Sequence, residues 1–354
     1  MASQQGRRAW SGRVALLASM VSGGAIALAW ACIRLTPESA WPGSLLVQMP
    51  QWLWLAGPAL LGIIAVFLRA WAATGVNLGA LALASLTLGG LATGLGPGAD
   101  RSPDQQRLRI VTWNVHNEHG HADAIRRRLI AYGPDIVCLQ EAPDGVFDHL
   151  MPDWDVRRHG SVVIFSRHGI AGDISALTGH PDVERSVACR VNRGPLNVAV
   201  INVHLRTALG SHELAHSLRT LPRYTKEMAE VRARQFRAIQ RNLPKGPTIV
   251  CGDFNTTPVA VSHRLFAQRM TDSYAATRFG LGLTYLVGKR IPTWRIDYIW
   301  CGDGAWPVGC FVGTGAPSDH RPVIADIALD WRLHRSVEGS TAATPGTAPV
   351  SIGR

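Results

Sequence analysis

Polar side chains lie at or near the ends of apolar stretches at six places in this sequence, and their chemical types could serve one reaction. In TIVCGDFN, the apolar run Ile249–Cys251 predicts a buried strand that leads directly into Asp253 and Asn255. The same pattern recurs at Asn114 (TWNV), Glu141 (LQEA), His204 (NVHL), Asp297 (RIDYIW) and the pair Asp319–His320 (SDHRP). A single Asp or Asn is an ordinary turn residue, but six repeats of one pattern favour a shared site.

The residue types indicate metal-assisted hydrolysis. Carboxylate and amide oxygens without cysteine partners suit Mg²⁺ or Mn²⁺, whereas structural zinc sites are built from cysteine and histidine. Hydrolysis of a phosphate ester needs such an ion to neutralise the phosphoryl oxygens and needs groups that move protons. The carboxylates and the two histidines could supply both.

Short β-rich runs must position these side chains. The pattern predicts strands near residues 109–115, 135–139, 161–165, 187–191, 197–203, 248–251, 296–300 and 323–329. Helical spacing of apolar residues predicts two helices, at residues 121–132 and 226–243. We therefore expect an α/β fold in which two sheets pack face to face with helices outside, so that strand ends meet at one rim.

The ordered motifs TWN, LQE, VHL, GDFN, RIDYI and SDHRP resemble those of the endonuclease/exonuclease/phosphatase family, which includes pancreatic deoxyribonuclease. The resemblance covers residues 107–331. It implies a four-layered α/β sandwich of two mainly antiparallel sheets flanked by helices, and a metal-dependent phosphoester hydrolase. The chain as a whole also resembles membrane-tethered bacterial members of that family.

The resemblance also implies roles for the motif residues. Glu141 would be the principal Mg²⁺ ligand, with Asn114 and Asp319 completing the metal region. Asp253 would orient and deprotonate the attacking water, and Asn255 would hold that water or the phosphate. His320 would meet a phosphoryl oxygen, with its ring fixed by Asp297.

The resemblance implies that His204 acts as a general acid or as a hydrogen-bond donor to the phosphate. Its identity also indicates which branch of the family the chain resembles. The abasic-site DNA repair branch has tyrosine at the matching position, whereas deoxyribonuclease-like, sphingomyelinase-like and inositol-phosphatase-like members have histidine. An abasic-site repair role is therefore disfavoured.

Other polar groups invite weaker interpretations. Arg185 and Asn117 are candidate substrate contacts, although both could be ordinary exposed residues. The loop HNEHGH, residues 116–121, could hold zinc but lacks cysteine partners. Cys301 and Cys310 could bridge a hairpin in an oxidising compartment.

The first 97 residues differ sharply in composition from the rest and predict a membrane segment. Three apolar runs, at 14–33, 52–68 and 76–95, are near the length of a membrane-spanning helix, and two spans are the main alternative. A cleaved signal peptide would explain only the first run. Residues 98–106 predict a linker, and residues 332–354, rich in Ser, Thr, Ala, Pro and Gly, predict a disordered tail.

Arginines predict the orientation of this segment. Arg7, Arg8 and Arg13 precede the first run and Arg69 lies between the second and third, which places both regions in the cytoplasm by the positive-inside rule. With three spans, the catalytic domain of this multi-pass protein would lie outside the cytoplasm.

Three functions remain open at this point. A membrane-anchored phosphoester hydrolase could act on a phospholipid head group or another phosphodiester or phosphomonoester beside the bilayer. An extracytoplasmic DNA or RNA nuclease is the alternative, because the chain carries a net charge of +11, which favours polyanions but also anionic membranes. A catalytically dead receptor or scaffold is disfavoured because the motif residues are all present.

Overall fold

The computed structural model describes residues 2–96, 106–193, 196–207 and 220–329. The predicted linker, except Gln106, and the predicted tail lie outside these described residues. The N-terminal part consists of helices α1 (Ala2–Leu35), α2 (Gly43–Leu46), α3 (Leu53–Phe67) and α4 (Trp71–Thr87).

The remaining elements alternate between strands and helices. In chain order they are β1 (Ala92–Thr93), β2 (Gln106–Asn114), a 3₁₀ turn (His119–His121), α5 (Ala122–Tyr132), β3 (Ile136–Gln140), β4 (Asp155–His159), β5 (Val162–Ser166), β6 (Ile170–Asp173), β7 (Ser186–Arg193), β8 (Leu196–His204), α6 (Leu221–Arg241), β9 (Thr248–Asp253), α7 (Val261–Phe266), β10 (Thr271–Asp272), α8 (Ser273–Thr277), β11 (Phe279–Gly280), β12 (Tyr285–Val287), β13 (Ile291–Trp294), β14 (Asp297–Gly302), β15 (Ala305–Val312) and β16 (Val323–Leu329).

Two six-stranded sheets form the centre of the molecule. One has the order β15-β16-β2-β3-β5-β4 and the other has the order β10-β14-β9-β8-β7-β6. Within these sheets, β2 with β3 and β8 with β9 are the parallel pairs, and the other pairs are antiparallel. Two short ribbons, β1-β11 and β12-β13, lie outside the main sheets.

Apolar side chains bury both faces of each sheet. Alternate residues such as Ile110, Val200 and Ile249 fill the space between the sheets. The outer faces pack against helices: Leu129 of α5 belongs to one outer cluster, and Phe236 of α6 to the other. The predicted mixed α/β fold with two packed sheets and flanking helices is confirmed.

The cysteines of the proposed bridge lie in different sheets. Cys301 is on β14 and Cys310 is on β15, so the segment between them is a crossover rather than a hairpin. Both are buried free thiols, and Ser273 contacts Cys301 with Oγ and Sγ 3.5 Å apart. The possible bridge between them is therefore not formed in this structure.

One helix among the described residues is both long and apolar enough to cross a membrane. It covers Ala9–Leu35. Its most apolar stretch of 18 residues has a mean hydropathy of 1.9, and 22% of that stretch is buried. The other apolar helices, α3 and α4, have 15 and 17 residues. The apolar run predicted a helix at residues 76–95, whereas α4 begins five residues earlier and ends eight residues earlier. After the helix, Gly90 at φ 59° turns the chain towards β1.

The N-terminal helices dock on the sheet-containing unit through the connection between α1 and α3. The carboxylate of Glu38 accepts hydrogen bonds from the backbone N–H (2.7 Å) and the hydroxyl (3.2 Å) of Ser262. The carbonyl oxygen of Val47 accepts a bond from the hydroxyl of Thr257 at 2.6 Å. These contacts fix the helical segment beside the loop that follows β9.

Gln51 joins three parts of the chain. Its side chain is fully buried, its Oε1 accepts from the backbone N–H of Arg295 at 2.7 Å, and its Nε2 donates to the carbonyl of Gly89 at 2.9 Å. Nearby, the indole N–H of Trp294 donates to the carbonyl of Gln48 at 2.8 Å. The segment that leads into β14 is thus held by residues from the N-terminal part.

Candidate active site

The parallel strand pairs explain why the predicted side chains meet. Parallel neighbours end at the same edge of a sheet, so β2 and β3 bring Asn114 and Glu141 together, and β8 and β9 do the same for His204 and Asp253. Strand β14 runs antiparallel to β9 and begins at this edge, with Asp297 directly opposite Asp253. The two edges face each other across the sandwich.

Asp253 lies at the centre of the group and is 1% exposed. Its Oδ2 accepts a hydrogen bond from Asn114 Nδ2 at 3.0 Å, and its Oδ1 accepts from the backbone N–H of Asn255 at 2.9 Å. The same Asn114 nitrogen donates to Glu141 Oε1 at 3.0 Å. Asn114 therefore links the carboxylates contributed by the two sheets.

Burial sets the proton affinity of Asp253. Its removal from water, together with the nearby negative charge of Asp297, raises the pKa of Asp253 to about 7. A carboxylate with a pKa near neutrality is a much stronger base than an exposed one. It can accept a proton from a water molecule at physiological pH.

His320 and Asp297 form a buried pair. His320 Nδ1 lies 2.9 Å and 3.1 Å from the two carboxylate oxygens of Asp297, which leaves Nε2 pointing towards Asp253 at 3.8 Å. Burial alone would lower the pKa of His320, but the charges of Asp297 and Asp253 outweigh it and raise the pKa to about 10. His320 is therefore a fixed cation at neutral pH.

His204 has the opposite character. Its Nε2 lies 3.7 Å from Glu141 Oε1 and 3.8 Å from Asp253 Oδ2, and burial lowers its pKa to about 4. Its Nδ1 has no hydrogen-bond partner among the described residues. At neutral pH this ring is uncharged, so it can donate a hydrogen bond but is a poor source of a proton.

Backbone geometry directs several of these side chains. Glu141 at φ 50° and Asn255 at φ 47° adopt left-handed conformations that are uncommon for residues other than glycine. Gly252, at φ 135°, precedes Asp253, and a Cβ there would lie 1.9 Å from the carbonyl oxygen of Val203. Strands β8 and β9 can approach this closely only because residue 252 is glycine.

The oxygen ligands fit a hard divalent cation on the Glu141 side of the site. The Glu141 side chain is 24% exposed, and its Oε2 lies 3.7 Å from His116 Nδ1, which is itself 3.4 Å from Asp319 Oδ1. Asp253, Asp297 and His320 also lie close enough together to hold an ion. We favour Glu141 and Asp319, because the Glu141 carboxylate is partly exposed and the Asp297 carboxylate is already bonded to His320.

Asn114 faces these carboxylates with its amide nitrogen. Its Oδ1 accepts a hydrogen bond from the backbone N–H of His116 at 2.9 Å. Because a backbone N–H can only donate, this bond fixes the orientation of the amide. In this orientation Asn114 is a hydrogen-bond donor between Glu141 and Asp253. Its predicted role as a metal ligand stays a prediction.

The histidines of the HNEHGH loop do not converge. His116 points towards Glu141 and Asp319, the ring of His119 lies 6.0 Å from that of Phe147, and His121 lies 3.7 Å from Glu118 of the same loop. The zinc interpretation is therefore not supported by the described residues. His116 itself belongs to the site, which the sequence motifs did not indicate.

The two predicted substrate contacts lie at the rim. Asn117 Nδ2 donates to Glu141 Oε2 at 3.3 Å, whereas Arg185 lines a cavity of about 430 Å³ that also contacts His204. Arg206 and Arg234 line the same cavity, but neither belongs to a sequence motif that would have indicated this position. The cavity offers space for the part of a substrate beyond the phosphate.

Two further residues support His320. The ring of Tyr285 lies 5.0 Å from the imidazole in an edge-on arrangement. The Ser318 hydroxyl accepts from the backbone N–H of His320 at 3.0 Å and donates to the carbonyl of Asn114 at 2.8 Å. Ser318 could have been suspected from its place in SDHRP, but Tyr285 lies in no motif.

The sequence profile of the endonuclease/exonuclease/phosphatase family matches residues 111–320, which contain every residue of this site. The chain belongs to that family. No curated protein gives a significant match.

Several solved structures are similar to this chain at low sequence identity. An endonuclease/exonuclease/phosphatase family protein from Bacteroides thetaiotaomicron is 16% identical over 65% of this chain and 98% of its own, with a TM-score of 0.50. A family protein from Bacteroides vulgatus is 17% identical over 64% and 100%, with a TM-score of 0.48. A 3′ phosphatase from Neisseria, bound to a product DNA hairpin, is 21% identical over 63% and 100%, with a TM-score of 0.48.

Proposed function

We propose that this protein is a divalent-metal-dependent phosphoester hydrolase anchored in a membrane by its N-terminal helices. The observation that carries the proposal is the arrangement around Asp253: a buried carboxylate of raised pKa faces the cation His320 on one side and Glu141 on the other. Base, positive charge and metal-binding oxygens thus surround one small space.

The residues divide the work of hydrolysis. Asp253 takes a proton from the attacking water, whose oxygen forms the new bond to phosphorus as the bond to the leaving oxygen breaks. His320, held by Asp297, places a positive charge against the phosphoryl oxygens. His204 donates a neutral N–H to the phosphate, and solvent protonates the leaving oxygen.

Glu141 and Asp319 would hold Mg²⁺ or Mn²⁺, and Asn255 would orient the phosphate or the water. Such an ion would supply neutralisation of the negative charge that develops on the phosphate during hydrolysis. Asn255 Nδ2 donates to the carbonyl of Leu205 at 3.0 Å, which leaves its Oδ1 as an acceptor for water.

The course of the helices supports three membrane spans. The sheet-containing part of the chain, residues 106–329, is called the catalytic unit. Helix α1 ends, α3 begins and α4 ends beside it, because residues 38–51 and 92–96 contact it. The turn at Arg69 and the start of α1 therefore lie at the opposite end. Arginines there favour a cytoplasmic location, with the catalytic domain on the other side.

A substrate at the membrane surface follows from this placement. Two residues near the site are bonded to the connection between α1 and α3. Thr257, two residues after Asn255, bonds Val47, and Arg295, two residues before Asp297, bonds Gln51. The site is thus close to the membrane side of the catalytic unit. We propose a phospholipid head group or another phosphoester beside the bilayer as substrate.

Nuclease activity is the second candidate. The cavity beside His204 contains Arg185, Arg206 and Arg234, which could contact further phosphates of a polyanionic strand. Asp182 and Glu184 line the same cavity and oppose this role in part.

One substrate panel tests the proposal. The full chain in detergent would be assayed with Mg²⁺ on phospholipids, plasmid DNA, RNA and a bis-aryl phosphodiester, beside Asp253→Ala. Turnover that depends on Asp253 supports the hydrolase, and the preferred substrate decides between lipid and nucleic acid. Absence of turnover on all substrates contradicts it, and protease cleavage of the domain only after cell lysis contradicts the sidedness.

A further inference from the structure

A second cavity, distinct from the catalytic site, lies where the ends of α1 and α4 meet the catalytic unit. Its volume is about 250 Å³. The helices contribute Trp30, Ile33 and Leu86 to its wall, and the catalytic unit contributes Pro258 and Val259. These side chains make one part of the cavity apolar.

Three arginines provide the charged groups that line this cavity. They are Arg34, Arg264 and Arg295, and no acidic side chain among the described residues lines it. Arg295 is neutralised by Asp272, with Nη1 and Oδ2 2.7 Å apart. The charges of Arg34 and Arg264 therefore determine the electrostatic character of the cavity.

Neither Arg34 nor Arg264 has an acidic partner in the part of the chain that the structure describes. Within the described ranges, Arg34 and Arg264 form no ion pair; Arg264 donates one bond, to the carbonyl of Val259 at 3.3 Å. Burial, and then the charge of Arg34, lower the pKa of Arg264. The acid nearest in the chain, Glu38, is bonded to Ser262 and contributes only a weaker opposing effect.

Unused hydrogen-bond donors belong to the same cavity. The indole N–H of Trp30 and the Nε–H of Arg295 are buried and have no partner among the described residues. An unpartnered buried donor costs free energy unless a ligand or water satisfies it. Two free cationic groups and two unpartnered donors together select a ligand with several acceptor oxygens and negative charge.

We propose that this cavity binds the phosphate of an anionic phospholipid, whose glycerol and acyl carbons lie along Trp30 and Leu86. The cavity adjoins Arg34, the residue at which the charge-free run 14–33 ends, and a membrane would place head groups at this level. The inference rests on the proposed membrane location but not on catalysis. The bound lipid would stabilise the joint between α1, α4 and the catalytic unit.

Lipid binding by the purified full chain tests the proposal. Phosphatidylglycerol, phosphatidylcholine and inorganic phosphate would be added separately to protein in an uncharged detergent, with thermal unfolding as readout. We expect phosphatidylglycerol to raise Tm most, and Arg34→Gln combined with Arg264→Gln to weaken its binding about tenfold or more, as expected for two lost charged contacts. Arg13→Gln combined with Arg69→Gln, at the other end of the helices, should bind as the parent does.

Three results would overturn the proposal. They are equal binding by the cavity double variant and the parent, equal stabilisation by phosphatidylcholine, and equal stabilisation by inorganic phosphate alone. If the double variant unfolds without lipid, Arg34→Gln decides instead, because Arg34 is exposed and bonded to nothing described. Since the assay measures neither hydrolysis nor membrane insertion, its failure is separable from failure of the proposed function.

Discussion

At the scale of single residues, the site combines two buried histidines, one positively charged and one neutral at pH 7. His320 is held as a cation by Asp297, whereas burial keeps His204 neutral. Identical side chains a few ångströms apart thus perform different work. One supplies charge and the other supplies a hydrogen bond, and each assignment can be tested separately.

Replacing Asp297 by Asn should discharge His320. Without that carboxylate, only the charges of Asp253 and Asp319 oppose the effect of burial, and the pKa of His320 should fall below its value of about 10. Activity that needs the charged ring is present below this pKa, so its alkaline limit should move to lower pH. We expect kcat at pH 8 to fall about 100-fold or more. An unchanged alkaline limit in the pH–rate profile would contradict the pairing.

Substitutions of His204 should distinguish a hydrogen-bond donor from a general acid. Glutamine retains an N–H donor of similar reach but cannot transfer a proton. We expect His204→Gln to lower kcat about tenfold and His204→Ala about 100-fold or more. Equal losses in the two variants, measured at saturating substrate, would indicate proton transfer by His204 instead.

The sequence was sufficient to predict that eight motif residues lie close together, because each lies within a few residues of one end of a predicted strand. Asn114, Glu141, His204, Asp253, Asn255, Asp297, Asp319 and His320 all lie at the shared edge. Tyr285 was not predicted because it lies in no motif, and His116 was considered only as a possible zinc ligand of the HNEHGH loop. Their proximity to the site arises from loops and from the β12-β13 ribbon, which tertiary contacts position.

At the scale of elements, the connection between α1 and α3 supports the segment that carries Asp297. Gln51 bonds the backbone N–H of Arg295, and Arg295 in turn bonds Asp272. Sequence patterns predicted the helices and strands here but gave no sign of this contact. It joins residues 244 positions apart, and only the folded chain brings them together.

Gln51→Ala should reduce both stability and activity. The change leaves the N–H of Arg295 and the carbonyl of Gly89 without partners, at a cost of about 1–3 kcal/mol each. We expect a lower Tm and a kcat reduced about tenfold through displacement of Asp297, with little change in KM. Gln48→Ala is the matched control, because only the backbone of Gln48 is bonded. Equal effects of the two substitutions would contradict the positioning role.

Asp272 should make stability depend on pH. Burial would raise its pKa, but Arg295, then His263 and a backbone N–H group of α8 outweigh this and lower it to about 2. A lowered carboxylate pKa stabilises the fold above the ordinary value of about 4 and loses this effect as pH falls towards 2. Asp272→Asn should cost about 3–5 kcal/mol at pH 7, because Arg295 stays buried without its counter-charge.

Thermal unfolding between pH 2.5 and pH 7 checks this dependence. The difference in Tm between parent and Asp272→Asn should be largest at neutral pH and should shrink below pH 4. A difference that stays constant across the range would mean that the carboxylate charge of Asp272 does not stabilise the fold.

Some elements escaped prediction for physical reasons. Strand β4 has the sequence DVRRH, whose exposed polar residues suit the edge of a sheet rather than an apolar pattern. Strand β15 contains Pro307 and Gly309, which normally argue against a strand, and its register shifts between them. Both are edge strands, where the core imposes few constraints on sequence.

At the scale of the whole molecule, a four-layered catalytic unit is fixed to a bundle of apolar helices. Large apolar side chains such as Leu17, Leu28, Leu60 and Phe67 are exposed on that bundle. An exposed apolar surface of this kind is typical of contact with lipid. This exposed apolar surface is one of the observations on which the proposed membrane anchoring rests.

The most direct test of this account is hydrolysis of a bis-aryl phosphodiester by the full chain and by Asp253→Ala, with and without EDTA. Asp173→Ala is the matched control, because Asp173 is an exposed acid paired with Arg157 away from the site. We predict that Asp253→Ala lowers kcat/KM at least about 1,000-fold, that EDTA abolishes activity and Mg²⁺ restores it, and that the control keeps parental activity. Equal activity in Asp253→Ala and the parent, or full activity in EDTA, would contradict the assignment of this site.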